Sequence, residues 1–135
     1  MSVASEPPGV LRTAACCCGQ LRITCQGEPD KVSACHCLAC QRRTGSAFGI
    51  AAFFPRDRVR VEGAATTYRR IADSGHGLTF HFCPHCGTTL YWEPERKPGA
   101  VAVAVGAFAD IGFPPPTQAV WADQKHAWVR FCTGP

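Results

Sequence analysis

Cys35, Cys37 and Cys40 fall within one short run, Cys35-His36-Cys37-Leu38-Ala39-Cys40. Thiolates are strong zinc ligands, and zinc prefers four tetrahedral donors. Structural zinc sites are closed by four protein side chains, whereas catalytic ones keep a position for water or substrate. A compact group of three cysteines therefore reads as a metal site whose fourth ligand comes from elsewhere. Two further pairs, Cys16 with Cys18 and Cys83 with Cys86, add up to one closed site. Spacing favours this division, although Cys37 and Cys40 could also join Cys83 and Cys86.

Each pair has a local reason to converge on a metal. Cys83-Pro84-His85-Cys86-Gly87 is a knuckle in which two thiolates grip one ion from a tight turn, and Gly87 permits the reversal that follows. In Cys16-Cys17-Cys18-Gly19 the first and third side chains of an extended segment point the same way, while Cys17 points aside. His85 reads as an exposed residue of the knuckle. Cys25 and Cys132 have no near cysteine and read as a buried small hydrophobe and a terminal thiol.

Composition narrows the setting. Ten cysteines occur in 135 residues. The start, Met1 to Gly9, has no apolar leader and reads as a frayed lead-in to a single domain spanning residues 1–135. In a reducing cytoplasm, the expected location, clustered cysteines are metal ligands or catalytic thiols rather than disulfides. The net charge is +4, and no Lys/Arg block exceeds two residues, which argues against a nucleic-acid partner. No apolar run approaches the ~20 residues of a membrane span.

These cysteines must be positioned by short strands, because Gly and Pro punctuate the apolar pattern throughout. The expected strands are Leu21 to Cys25, Phe48 to Phe54, Val59 to Glu62, Thr67 to Ala72, Leu78 to Phe82, Thr89 to Trp92, Ala100 to Gly106 and Ala127 to Phe131. Leu21, Ile23 and Cys25 alternate with Arg22 and Thr24, as one buried face requires. Val101, Val103 and Val105 alternate with alanines, which predicts burial on both faces. One helical turn is expected over Leu38 to Arg43. The Pro114-Pro115-Pro116 run reads as a stiff extended connector.

With these motifs in order, the chain resembles the glutathione-dependent formaldehyde-activating enzyme family, which includes the centromere protein V domain. The likeness runs through Cys16-x-Cys18-Gly19, Cys35-His36-Cys37-x-x-Cys40-Gln41 and Gly45-Ser46-x-Phe48. It continues through Phe82-Cys83-Pro84-x-Cys86-Gly87-Thr88-x-Leu90 to Ala107-Phe108, the prolines and Trp128. The resemblance implies a mainly β fold, the β-tent of methionine-sulfoxide reductase B, built of short antiparallel strands. It implies two zinc ions per chain, a structural one on Cys16, Cys18, Cys83 and Cys86 and a catalytic one on Cys35, Cys37 and Cys40. It departs from the family in having Cys17 between the first two ligands. Members with the named activity tend to be longer, which implies that a glutathione-binding segment of theirs is lacking here.

The implied reaction is that of a carbon–sulfur lyase, in which a small thiol such as glutathione adds to formaldehyde or another aldehyde to give an S-hydroxymethyl adduct. Three thiolates leave zinc with a net charge of about −1, so it is a weak electrophile but a good holder of a fourth, anionic ligand. Presentation of the substrate thiolate is therefore preferred over polarisation of the aldehyde. Arg42 and Arg43 are candidates for the carboxylates of glutathione, because guanidinium groups pair with carboxylates in bidentate fashion. Gln41, Ser46 and Phe48 are further candidates for substrate contact, and His36 for a proton relay. Two rival readings stand beside this one. The first is a zinc-stabilised binding module without catalysis. The second is a sulfoxide reductase-like activity, for which Cys17 would be the reactive thiol.

Overall fold

The computed structural model of the chain describes residues 9–132, so that all of the expected lead-in except Gly9 lies outside the described residues. The elements run β1 (Leu11–Ala15), β2 (Arg22–Gln26), β3 (Lys31–Cys35), α1 (Leu38–Thr44), β4 (Gly49–Pro55) and β5 (Val59–Glu62). They continue with β6 (Thr66–Ile71), β7 (Gly77–Phe82), β8 (Thr89–Pro94), β9 (Ala100–Ala104) and β10 (Gln118–Val120). A three-stranded sheet has the order β1-β2-β5, and a seven-stranded sheet the order β10-β3-β4-β9-β8-β7-β6. This is the expected mainly β, β-tent architecture.

Four expectations need correction. The strand expected over Ala127 to Phe131 is absent. The free edge of β3 is taken by β10, and residues 127–131 instead form a turn closed by Val129 N–H on the carbonyl of His126. Strands β1, β3 and β10 carry no clean alternation and were not expected. In β1 only Ala14 is buried, and β10 is a short edge strand with no buried residue. The pairing of β10 with β3 is parallel, the exception to an otherwise antiparallel set. The strand expected over Ala100 to Gly106 ends at Ala104, where the backbone tightens into a 3-10 turn over Val105–Phe108.

The two faces of the large sheet have different tasks. Ala52, Phe54, Val101, Val103 and Tyr91 face the small sheet and pack with Ala14, Leu21, Ile23 and Cys25 in one core. Period-2 alternation turns their neighbours Ala51, Phe53, Ala102 and Trp92 to the opposite face, where a second apolar cluster forms with Phe80 and Leu78. Burial of Val101, Ala102 and Val103 together agrees with the two-faced burial expected for β9. The register extends the outer face sideways, since Cys35 lies opposite Gly49, Ser33 opposite Ala51, and Arg70 opposite Leu78. Small residues at Ser33, Gly49 and Ala51 leave a depression there, beside the cysteine triple.

Phe54 is fully buried and meets Phe108 at a ring-centroid distance of 6.3 Å. Phe54→Ala is expected to destabilise the fold by about 3–5 kcal/mol, measured by denaturant unfolding at fixed zinc concentration.

Candidate metal centres

Cys16 and Cys18 lie in the turn between β1 and β2, and Cys83 and Cys86 in the turn between β7 and β8. The first turn belongs to the small sheet and the second to the large one. Their four sulfurs lie within 4.8 Å of one another. Four sulfurs at ~2.3 Å from a tetrahedral ion would be ~3.8 Å apart. The separations are 3.6 Å for Cys16–Cys18 and 3.7 Å for Cys18–Cys83, so the thiols already fit a zinc ion. The backbone supports the cage: Leu21 N–H donates to Cys16 Sγ at 3.3 Å and His85 N–H to Cys83 Sγ at 3.3 Å. His85 is an exposed turn residue, as expected. The Thr88 hydroxyl, 3.3 Å from Cys86 Sγ, leads the causes that lower the Cys86 thiol to about 5.

Gln20 was not singled out in the sequence, and it holds this centre from outside. Its Nε2 donates to Cys83 Sγ at 3.0 Å and to the Ala64 carbonyl at 2.7 Å, and its Oε1 accepts from Ala64 N–H at 2.9 Å. One amide thus fastens the β5–β6 turn to the cage. Cys17 is exposed, and its N–H donates to Thr88 Oγ1 at 3.1 Å.

The second group is built by β3 and α1. Cys35 ends β3, Cys37 caps α1, and Cys40 sits in the first turn. The extended N-cap turns Cys37 back so that its sulfur accepts the Cys40 N–H at 3.3 Å. The three sulfurs lie within 4.8 Å of one another, in a group separate from the other four cysteines. Their proton affinities diverge because they crowd. The hydrogen bond from Cys35 stabilises a Cys40 thiolate, which with help from Arg43 is lowered to about 5, while Cys40 in turn pushes the Cys35 thiol up. Full deprotonation of such a group needs a cation among the sulfurs, and soft divalent zinc meets that need. Cys25, by contrast, is buried in the core and pushed up to about 12 by desolvation, an inert thiol.

The triple closes one end of a cavity of about 150 Å³ on the outer face of the large sheet. Phe53, Leu78 and Trp92 form apolar walls, and Arg43, Arg70 and Asp73 bring charge. Arg43 lies with its guanidinium 4.4 Å from the centre of the Trp92 ring. Gly49 makes room for it, since a Cβ there would stand 2.7 Å from Arg43 Nη2. Trp121, at φ 56°, holds a backbone conformation that bulky residues rarely adopt and lines the same cavity.

Of the substrate-contact candidates, Arg43 lines this cavity. Arg42 is exposed and borders a neighbouring groove of about 590 Å³ with Tyr68, Phe80 and Phe82. Ser46 is exposed in the turn after α1. Phe48 packs edge-on against Phe131 at 5.1 Å. Gln41 is a clasp: its Nε2 donates to the carbonyls of His36 at 2.9 Å and Gln124 at 3.2 Å, and its Oε1 meets His126 Nε2 at 2.8 Å. Leu38 N–H adds a bond to Gln124 Oε1 at 2.8 Å, so the C-terminal segment is fastened to the start of α1. His36 is buried, stacks on Phe131 at 5.6 Å, and lines a different cavity with Lys125 and Arg130. Burial, then Lys125, lowers its basicity. Its ring thus lines a cavity other than the one that the triple closes. Arg70, Asp73, Trp92 and Trp121 could not be found from the sequence, because strand register and chain return place them here.

Comparison with known proteins bears on this arrangement. Residues 11–130 match the sequence family described as glutathione-dependent formaldehyde-activating enzyme. The chain belongs to this family. A curated relative from Colletotrichum graminicola, provisionally named as such an enzyme, is 30% identical over 87 residues, covering 58% of this chain and 45% of the relative. The chain thus spans less than half the length of that relative. A crystal structure of a Rhodobacter sphaeroides protein aligns with a TM-score of 0.57 and 23% identity, over 80% of this chain and 99% of that one, a likeness of fold. No helix among the described residues is long and apolar enough to cross a membrane.

Two separable centres make a measurable expectation. Purified protein should carry two zinc ions per chain, and Cys37→Ser should carry one with its circular dichroism retained. Cys83→Ser should lose cooperative unfolding, because structural zinc contributes on the order of 10–16 kcal/mol in zinc-finger peptides.

Proposed function

We propose that the protein is a zinc-dependent carbon–sulfur lyase-type enzyme, which joins a small thiol such as glutathione to formaldehyde or a related aldehyde and releases an S-hydroxymethyl adduct. The observation that carries this reading is the convergence of Cys35, Cys37 and Cys40 on the end of a small walled cavity, apart from a complete four-cysteine centre. Family membership supports it. A zinc ion held by the triple would keep a bound thiol deprotonated at neutral pH.

The chain's own residues supply the rest. Arg43 sits beside Cys40 and offsets the negative charge of the thiolates, and its stacking on Trp92 holds it there. Phe53, Leu78, Trp92 and Trp121 restrict water around the reacting atoms, which favours addition of sulfur to the carbonyl carbon over competing hydration. The Gln41 clasp holds α1 against the segment that carries Trp121, so ligand triple and cavity wall move as one unit. His36 packs against Phe131 in the neighbouring cavity, where burial, then Lys125, lowers its basicity.

The test is exchange between free formaldehyde and the S-hydroxymethyl adduct of glutathione, followed by NMR. Acceleration over the spontaneous exchange is expected, with loss of more than about 100-fold in Cys40→Ser and of about 10–100-fold in Arg43→Met. No acceleration with glutathione or any smaller thiol would leave the binding-module reading in its place.

A further inference from the structure

Arg70 and Asp73 line the same small cavity as the cysteine triple, and neither forms an ion pair among the described residues. Arg43 likewise forms no ion pair among the described residues, but it lies over Trp92 and beside Cys40. Arg70 is half-buried at the outer face of β6, where its guanidinium rests 5.5 Å from the centre of the Phe80 ring. Asp73 follows two residues after the end of β6, in the turn closed by Gly75 N–H on the Ala72 carbonyl. The wall that faces the thiols thus offers one positive group without an ion partner, Arg70, which also borders the neighbouring groove of about 590 Å³, and one exposed negative group, Asp73, at a space of about 150 Å³. A cavity of ~150 Å³ takes a ligand about the size of benzene.

We infer that the cavity selects a small thiol bearing a free α-amino acid headgroup, of the size of cysteine, with its carboxylate on Arg70 and its ammonium on Asp73. This rests on the reading that the triple joins a thiol to an aldehyde. Charged groups that share so small a space with the reacting sulfur must lie only a few bonds from it. In free cysteine both charges sit on the carbon next to the one that carries sulfur. In glutathione those two positions are amides, its ammonium and carboxylates lie further out, and Asp73 would face an uncharged group. A half-buried charge left without its partner is costly, so Arg70 disfavours a ligand with no carboxylate near the sulfur, and the exposed Asp73 adds direct attraction for an ammonium beside it. The reaction needs no redox partner. The sulfur–carbon bond forms, the carbonyl π bond breaks, and the thiol proton ends on the new hydroxyl.

Binding to the zinc-loaded full chain tests the headgroup without turnover. S-methylcysteine carries both charges and no reactive thiol. Isothermal titration should show it binding about tenfold or more tightly than its N-acetyl derivative and than its methyl ester. Asp73→Asn should abolish the preference over the N-acetyl derivative and keep that over the ester, and Arg70→Gln should do the reverse. Equal weakening of all three ligands in both variants, or no preference in the parent chain, overturns the inference. Consumption of ¹³C-formaldehyde, counting the open adduct and its ring-closed product together, then separates the two levels. Faster turnover with cysteine than with glutathione supports the inference. Turnover with glutathione alone overturns it and leaves the lyase reading standing. Selective binding of S-methylcysteine without turnover of any thiol sinks the lyase reading and retains the headgroup site.

Discussion

Closure of the four-thiol cage is the constraint on which the rest of the molecule depends. Cys16 and Cys18 come from the small sheet, Cys83 and Cys86 from the large one, and the sulfurs already stand at tetrahedral spacing. A metal there joins the two sheets at the end where no strand passes between them in a hydrogen-bonded ladder. The apolar core holds the sheets face to face, but hydrophobic contact is not directional. Metal–thiolate bonds are directional, and an ion held by these four sulfurs would fix which turn meets which. Gln20 extends that fixation to the β5–β6 turn. A domain of this size has a stability of only ~5–15 kcal/mol, so a metal bound there with the strength seen in zinc-finger peptides would decide whether it folds at all.

With the sheets fixed, the outer face of the large sheet becomes available for chemistry. The same alternation that sends Ala52, Phe54, Val101 and Val103 to the core sends Ala51, Phe53, Ala102 and Trp92 to the cavity side. Small residues make the depression, Arg43 reaches across it, and the returning C-terminal segment brings Trp121. The three-cysteine group therefore sits on a rigid floor rather than on a free loop, and the Gln41 clasp limits how far α1 can swing. Rigidity of this kind would suit the proposed reaction, in which a soft anion and a small electrophile are held in contact.

The legible part of this structure was local. The Cys-x-Cys and Cys-x-x-Cys spacings, the alternation of Leu21, Ile23 and Cys25, and the valine–alanine run of β9 each encode a short-range geometry, and each appears as read. Strands such as β1 and β10 were not legible because they are held by ladder hydrogen bonds with almost no apolar burial of their own. Ala127 to Phe131 looks like a strand because its apolar residues have pockets to fill: Val129 is buried and Phe131 stacks on His36. The edge of β3 is taken by β10, and the segment packs by its side chains instead. In the site, the cysteine groups are local in sequence, whereas Arg70, Asp73 and Trp121 depend on register and on a parallel return. Gln41 shows the converse: a polar residue next to a ligand can be consumed by holding the backbone.

The chemistry proposed for the Cys35, Cys37 and Cys40 centre depends on its fourth ligand, which X-ray absorption at the zinc edge addresses directly. Protein loaded with two zinc ions would be measured before and after addition of a small thiol. A rise in the mean number of sulfur neighbours per zinc, absent in Cys37→Ser with one zinc bound, is the result this account predicts. An unchanged shell at saturating thiol would contradict it.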